Sequence, residues 1–307
     1  MQGNREYWYS LPAYCKQRYG HRVYKVPLDA HFTCPNRDGT LGKNGCIFCA
    51  GGSGDFAIEY DGQNLSQEEI GVYARKGQVG QYIGYFQAYT NTYGPIEKCR
   101  KLYTSILENP LFQGIAIATR PDCISQEILI LLKQLHQQYP HKLFWIELGL
   151  QTSNEQSASF IRRGYTNEVF EKAVRELQAI GMEIIVHVIL GIPNEDIDSL
   201  VSTMHYLNRF PIQGVKLQVL QYLKGTDLGL LSDQYTALTF EQYVEYITVC
   251  LANLREDIVI HRLTGDADKT LLIKPLWAID KKKVINAIRK NMAEKQIYQS
   301  CMLKKEE

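Results

Sequence analysis

Cys34, Cys46 and Cys49 share one glycine-rich segment, His31-Phe-Thr-Cys34-Pro-Asn-Arg-Asp-Gly-Thr-Leu-Gly-Lys-Asn-Gly-Cys46-Ile-Phe-Cys49. Three thiols cannot all pair as disulfides, and they are one ligand short of a closed four-thiolate cage. On an iron–sulfur cube, three thiolates leave one iron open to a further ligand. The segment also offers a second chemistry, because His31 with the three cysteines could close a tetrahedral zinc site. Two features favour the larger group. The segment interrupts a strand-to-helix connection, where active sites are built. Its glycines (39, 42, 45, 51, 52 and 54) let backbone amides approach a bulky cofactor. The other cysteines (15, 99, 123, 250 and 301) are scattered singly and read as packing residues or free thiols, so one cluster is expected.

These residues need a scaffold. Strand patterns at 22–30, 82–89, 114–119, 143–150, 183–190 and 214–222 alternate with helix patterns at 66–77, 95–108, 125–138, 166–180, 196–208 and 239–254. Ser66 with Glu69, Ser125 and Thr239 are helix-start signals, and Gly181 suits a helix end. Six βα units in succession predict a parallel sheet wound in one sense. Pro27 weakens the first strand, since proline cannot donate to a ladder. A strand at 257–263 and a basic amphipathic helix at 280–296 close the chain.

The strand faces choose between an open sheet and a barrel. Period two puts Trp145, Glu147, Gly149 and Gln151 on one face, against Phe144, Ile146, Leu148 and Leu150. His187 shares a face with Glu183, Ile185 and Ile189; Lys216 and Gln218 share another. One face is aliphatic and suits helix packing, while the other is polar. Open doubly wound sheets bury both faces in apolar runs, so a barrel with a polar lumen fits better. The expected fold is therefore α/β, a partial (β/α)6 TIM-like barrel over 22–230, with an N-terminal extension over 1–21 and a C-terminal strand and helix within 231–307. Function in such barrels sits at the carboxyl ends of the strands, where the cysteine segment, 31–56, lies.

Composition narrows the partners. A net charge of +1 over 307 residues provides no global field for nucleic acid or anionic membrane. The local basic features are Arg162-Arg163, Lys281-Lys282-Lys283, Arg289-Lys290 and Lys304-Lys305, with a Tyr-rich N-terminus as a stacking surface. The longest apolar run, Ile184 to Leu190, is too short to span a bilayer. The N-terminus lacks a signal-peptide core. The expectation is a cytoplasmic protein with no membrane partner.

Cys34…Cys46-Ile-Phe-Cys49 after the first strand of a six-unit barrel resembles the radical S-adenosylmethionine enzymes. The wide first gap departs from their short Cys-x3-Cys spacing and is similar to the branch containing the elongator catalytic subunit. Within that branch, Cys34-Pro-Asn-Arg-Asp-Gly-Thr and His261-Arg-Leu-Thr-Gly-Asp-Ala resemble the bacterial YhcC/YtqA family. The resemblance implies a [4Fe-4S] cluster on Cys34, Cys46 and Cys49. It implies S-adenosylmethionine chelating the fourth iron through its amino and carboxylate groups. A one-electron donor such as flavodoxin or ferredoxin would reduce the cluster. Cleavage of the sulfonium would then yield a 5′-deoxyadenosyl radical that takes hydrogen from the substrate. By position, Thr90 and Asn91 would face the methionine amine, although the usual Gly-Gly-Glu is absent. Glu147 and Gln151 would face the ribose, and Gly191-Ile-Pro193 the adenine. Relatives of this branch act on the wobble uridine of transfer RNA. The resemblance thus implies tRNA as partner, with trimming of a carboxymethylaminomethyl group to aminomethyl. Radical chemistry on a protein or a small metabolite, or a non-enzymatic zinc module, are the alternatives.

Three cations are candidates for the chemistry itself. Lys216, facing the lumen, is costly to bury unless paired, and Glu147 across the barrel is its candidate partner. Arg120, in Ala-Thr-Arg-Pro-Asp, could grip a carboxylate or phosphate. Arg262, with His261 and Asp266, lies near the barrel mouth as a substrate-binding candidate.

Overall fold

The computed structural model describes residues 6–51, 57–74, 79–265 and 269–303. Residues 1–5, Gly52, Gly54, the 75–77 end of the first expected helix, Asp266 and Lys304-Lys305 lie outside the described residues. The chain begins with α1 (Leu11–Tyr19), then β1 (Tyr24–Asp29), the short β2 (Ile58–Glu59) and α2 (Gln67–Tyr73). Four regular units follow: β3 (Tyr82–Phe86) with α3 (Ile96–Glu108), β4 (Phe112–Thr119) with α4 (Gln126–Gln138), β5 (Leu143–Gln151) with α5 (Glu155–Phe160) and α6 (Asn167–Ala179), and β6 (Glu183–Leu190) with α7 (Ile197–Asn208). Then come β7 (Gly214–Val219), β8 (Tyr222–Leu223), α8 (Asp227–Leu230), α9 (Phe240–Ala252), β9 (Val259–Arg262), β10 (Leu272–Lys274) and α10 (Lys281–Glu294). No helix among the described residues is long and apolar enough to cross a membrane.

The main sheet runs β2-β1-β3-β4-β5-β6-β7-β9, and every pairing in it is parallel. Side-chain contacts show that it curls. Lys216 on β7 donates to the Tyr85 hydroxyl on β3 at 3.0 Å. In a flat sheet these strands would stand four spacings apart, about 19 Å, beyond the reach of the two side chains. The expected partial barrel is thus the observed architecture, with β9 continuing the sheet beyond β7. Pro27 sits within β1 without breaking the β3 ladder. Tyr24 and Leu28 bond toward β3, so the alternate Pro27 turns its missing N–H toward β2, which pairs only from Leu28 onward.

The helices cover the outer face through the aliphatic positions of the strands, including Val26, Leu28, Ile115, Ile117, Ile146, Leu148, Val186 and Val188. The expected starts are observed. Ser66 with Glu69 and Thr239 with Gln242 form capping boxes, and Ser125 caps the Ile128 amide. Gly181, at φ +80°, follows α6. Two spans differ from expectation. The 82–89 strand stops at Phe86, and the 214–222 strand divides into β7 and β8, the latter pairing antiparallel with β10. Short elements with little periodicity (β2, α5, α8 and β10) had no sequence signal.

Inside the barrel the layers are distinct. At the amino ends of the strands an apolar layer of Ile83, Tyr85, Ala116, Leu143, Trp145 and Ile185 packs on Leu11, Tyr14, Cys15 and Tyr19 of the N-terminal extension. Helix α1 therefore plugs the bottom. Tyr14 and Trp145 both donate to Glu183, at 2.9 and 2.8 Å, which fixes the plug to the first residue of β6. At the opposite end Ile47, Ile161, Ile189, Ile192, Leu220, Tyr222 and Leu228 form a smaller apolar cluster beneath the cysteine loop.

Gly114 tests this packing, because a Cβ there would meet the Leu143 carbonyl oxygen at 2.2 Å and the Leu143 amide nitrogen at 2.5 Å. Backbone cannot give way as a side chain can, so Gly114→Ala should lower the unfolding free energy by about 3 kcal/mol. Urea denaturation of an alanine variant that matched wild type would refute the β4–β5 packing.

Candidate active site

The cysteine loop leaves β1 at the carboxyl end of the sheet. Its first turn is closed by the amides of Arg37 and Asp38, which donate to the Cys34 carbonyl at 2.8 and 3.1 Å. Its last turn is closed by the Cys49 amide on the Cys46 carbonyl at 3.0 Å. Between them Asn36 docks the loop on the barrel. Its side-chain amide donates to the Arg162 carbonyl at 2.8 Å and lies 3.6 Å from the Cys46 sulfur. Ile47 is held on both sides, its amide donating to Ile161 and its carbonyl accepting from Leu228. All three cysteines are half-buried free thiols. Burial, with the neighbouring Cys49 and Cys34, pushes the Cys46 thiol up to about 11.

The loops at this end of the sheet carry backbone strain. His31 after β1, Tyr89 after β3, Gln151 at the end of β5 and Asn194 after β6 all have left-handed φ, between +51° and +69°. Such conformations cost energy in residues with a side chain and cluster where a site demands them. Gln151 also falls at a register break in the β5–β6 ladder. His31 is exposed, and its backbone is engaged: the amide on Asp29 at 3.0 Å and the carbonyl with Lys98 at 2.9 Å.

Below the mouth lies a charged layer. Glu147 is fully buried, and one of its oxygens accepts from Lys25. The other accepts from Lys216 and from His187 Nε2, the latter at 2.8 Å. Burial alone would raise the Glu147 pKa, but Lys216 and Lys25 more than reverse this and hold the carboxyl well below its usual range. Glu147 is thus ionised and can only accept, which assigns the His187 proton to Nε2. Burial and Lys216 push His187 down to about 4, so its ring is neutral at pH 7. Lys25 also lies over the rings of Tyr85 and Trp145, at 4.6 and 5.1 Å.

The sequence candidates separate accordingly. Lys216 and Glu147 meet as expected, yet the Glu147 side chain is 0% exposed and each of its oxygens already accepts, which sets it out of reach of a ribose diol. Lys216 is 2% exposed and spends its donors on Glu147 and Tyr85. Arg120 forks onto Asp122 at 2.9 and 2.7 Å and stacks 4.9 Å from the Tyr165 ring centroid, so it is already paired where a free anion grip was expected. Arg262, half-buried, ends β9 beside Lys216 in register. Thr90 and Asn91 are buried at the end of β3. The Asn91 amide group bridges the Phe86 and Ala118 carbonyls at 3.1 and 2.9 Å, while its Oδ1 is buried with no partner among the described residues. Gly191, at φ +89°, packs against Leu238, and Pro193 is half-buried in the turn after β6. Of the basic pair expected at the surface, Arg163 is buried and holds the carbonyls of Leu150, Thr152 and Tyr165. Arg162 pairs with Asp227.

Lys25, Asn36, Arg37 and Tyr165 escaped the sequence reading. Period two applied to β1 would have placed Lys25 with Val23 in the lumen. No periodicity marks the others.

A sequence profile of the Radical SAM superfamily matches residues 39–207, and one of the Radical_SAM C-terminal domain matches residues 212–294. The chain belongs to the radical SAM superfamily. YtqA of Bacillus subtilis (strain 168) is 35% identical over 297 residues, covering 95% of this chain and 91% of that protein. The tRNA uridine(34) acetyltransferase of Methanocaldococcus jannaschii is 23% identical over 165 residues, 52% of this chain and 29% of that protein. Among solved structures, Methanocaldococcus infernus Elp3 with an N-terminal deletion superposes with a TM-score of 0.66 at 16% identity, over 90% of this chain and 65% of that one, just under two thirds of its length. The superfamily match begins at residue 39, so it includes Cys46 and Cys49 but not Cys34.

Radical SAM enzymes work with a [4Fe-4S] cluster and S-adenosylmethionine, and the loop's donor set suits a cluster better than a lone ion. A zinc site needs its donors within about 2.3 Å of one point. Among the described residues no three His, Cys, Asp or Glu side chains converge in that way. A cluster places each thiolate on a different iron and so takes a wider triangle of sulfurs.

The charged layer makes two predictions. Glu147→Gln strands two ammonium groups in the lumen and should cost about 3–5 kcal/mol of stability; Glu147→Gln with Lys216→Met should recover part of it. Equal stabilities in chemical denaturation would show the layer to be unimportant. The second concerns acid. An unfolded histidine takes up its proton near pH 6.5 and folded His187 near 4. Its stabilisation is therefore complete above pH 6.5 and is lost as pH falls toward 4. Between pH 7 and 5 His187 accounts for about 2 kcal/mol of lost stability, to which buried His261 adds in the same direction. His187→Gln should shrink the pH 7-to-5 loss by that amount, and an unchanged loss would refute the neutral ring.

Proposed function

We propose that this radical SAM enzyme modifies the wobble-position uridine of transfer RNA, trimming a carboxymethylaminomethyl side chain to aminomethyl. The single observation that carries the reading is the three-cysteine loop docked at the mouth of a barrel whose sequence matches a tRNA uridine(34) acetyltransferase over 165 residues. Cys34, Cys46 and Cys49 would hold the cluster. When bound, that group supplies the one-electron cleavage of S-adenosylmethionine. The orphan Asn91 Oδ1 is an acceptor suited to the amine of the methionyl group. Gln151 and the Gly191–Pro193 turn follow β5 and β6 at the same end of the sheet.

The lumen supports an anionic substrate group. Among the described residues Lys25 and Lys216 share one carboxylate, and burial pulls Lys216 well below the usual lysine range, so Lys25 is the cation of this layer that an anionic group would meet. Lys25, 20% exposed, and His187, 19% exposed, are its reachable members. The α1 plug closes the far end, so a substrate group enters from the cysteine-loop side alone, and water is displaced as it enters. A reductant must reach the same face to deliver the electron, for which flavodoxin or ferredoxin is suited.

Purified without oxygen, the protein should be brown, contain iron and sulfide, and release 5′-deoxyadenosine after reduction. Cys46→Ala should abolish that release, and full activity in the variant would overturn the ligand set. Nucleoside mass spectrometry of tRNA from cells lacking the gene should show carboxymethylaminomethyl-uridine accumulating at the expense of aminomethyl forms. Unchanged wobble nucleosides would remove the tRNA assignment.

A further inference from the structure

Arg37 lies three residues beyond Cys34, and its side chain runs across the loop to the other end. Its Nη2 donates to the Cys49 carbonyl, while its own amide is bonded to the Cys34 carbonyl at 2.8 Å. One residue thus ties the first cysteine to the third. The loop is shaped around it. At Gly45, with φ +72°, a Cβ would lie 2.8 Å from Arg37 Nε and 3.1 Å from Cζ. At Gly51, with φ +84°, a Cβ would lie 2.9 Å from the Tyr89 hydroxyl. Gly45 therefore leaves the space that the guanidinium fills, and Gly51 the space for the tyrosine hydroxyl next to it. Beyond it lies the Tyr89 ring, 5.8 Å from Cζ, on the strained residue after β3.

Among the described residues the charge of Arg37 has no acidic partner. Arg120, Arg162 and Arg163 each meet a carboxylate, respectively Asp122, Asp227 and Glu155. Among the described residues no carboxylate lies within ion-pair distance of Arg37. The sulfurs of Cys49 and Cys34 are among the groups that act on it electrostatically. A partly buried cation without a carboxylate is costly unless something anionic stands beside it, and the three thiolates that would hold a cluster are that anion.

We infer that Arg37 is the positioning and charge-compensating residue of the cysteine loop: it sets the arc of the three thiolates and raises the reduction potential of the cluster bound to them. This rests on the proposed function, since it takes the loop to hold a cluster. The physical reason is electrostatic. A thiolate-bound cluster gains one negative charge on reduction, so a fixed positive charge beside it stabilises the reduced form more than the oxidised form. Gly45 and Tyr89 hold that charge in place, with no carboxylate among the described residues to cancel it.

The test uses the full chain, reconstituted without oxygen with iron and sulfide. Dithionite titration is followed by electron paramagnetic resonance in wild type, Arg37→Gln and Arg37→Lys. At the wild-type midpoint potential the reduced-to-oxidised ratio should fall at least tenfold in Arg37→Gln, a shift of about 59 mV for one electron. It should stay within threefold in Arg37→Lys, which keeps the charge. Arg37→Gln holding four irons and titrating with wild type overturns the inference while leaving the function standing. If Arg37→Gln does not retain iron, Arg37→Lys decides. A lysine variant that holds the cluster near the wild-type potential supports the charge role, and one that also loses iron overturns it. Wild type that takes up no iron overturns the proposed function, and the inference with it.

Discussion

The ionised Glu147 is the constraint on which the barrel interior depends. A carboxylate without access to water is tolerated only when its partners replace the lost hydration, and here three donors from three strands converge on it. Lys25 comes from β1, His187 from β6 and Lys216 from β7, so the contact spans the curl of the sheet. Closing the curl brings the partners together, and bringing them together is what makes the burial tolerable. The apolar plug of α1 below and the Ile47 cluster above then divide the lumen into layers, with charge confined to the middle.

That layering separates support from reaction. The cysteine loop gains its shape from the mouth, through Asn36 on the 161–163 turn and Ile47 on α8, and not from the charged layer. The turn that receives Asn36 is held in turn by Arg163, whose guanidinium gathers three backbone carbonyls and pairs with Glu155. A loop with many glycines carries a large entropy cost of ordering. Fixing it at both ends and at its centre leaves the thiols on an arc rather than on a freely moving segment.

The division between what was legible in the sequence and what was not follows the same line. Strand faces have a period, so the pairing of Lys216 with Glu147 could be read from alternation alone. The capping boxes at Ser66 and Thr239 were legible because three-residue spacing carries their mechanism. Lys25 had the same signal, obscured by Pro27, whose missing donor proved harmless because it faces the short β2. Asn36 and Arg37 stand in the motif that carries the family resemblance, but no periodicity marked their roles. Those roles depend on where the loop folds back: Asn36 meets the 161–163 turn, more than a hundred residues away, and Arg37 the far end of its own loop.

Arg120 and Arg37 show why residue type alone misassigns such loops. Both are arginines beside the cysteines, and both are stacked on a tyrosine. Arg120 stood out in sequence as a gripping cation, yet Asp122, two residues on, takes its fork in a bidentate pair and cancels most of its field. Arg37 drew no role from the sequence, yet it reaches the Cys49 carbonyl with no carboxylate among the described residues at ion-pair distance. What a cation contributes to a site is set by its nearest anion. At this site the local Arg-Pro-Asp spacing announces a neutralised pair, whereas Gly45 holds open the place for a charge that would act on the cofactor.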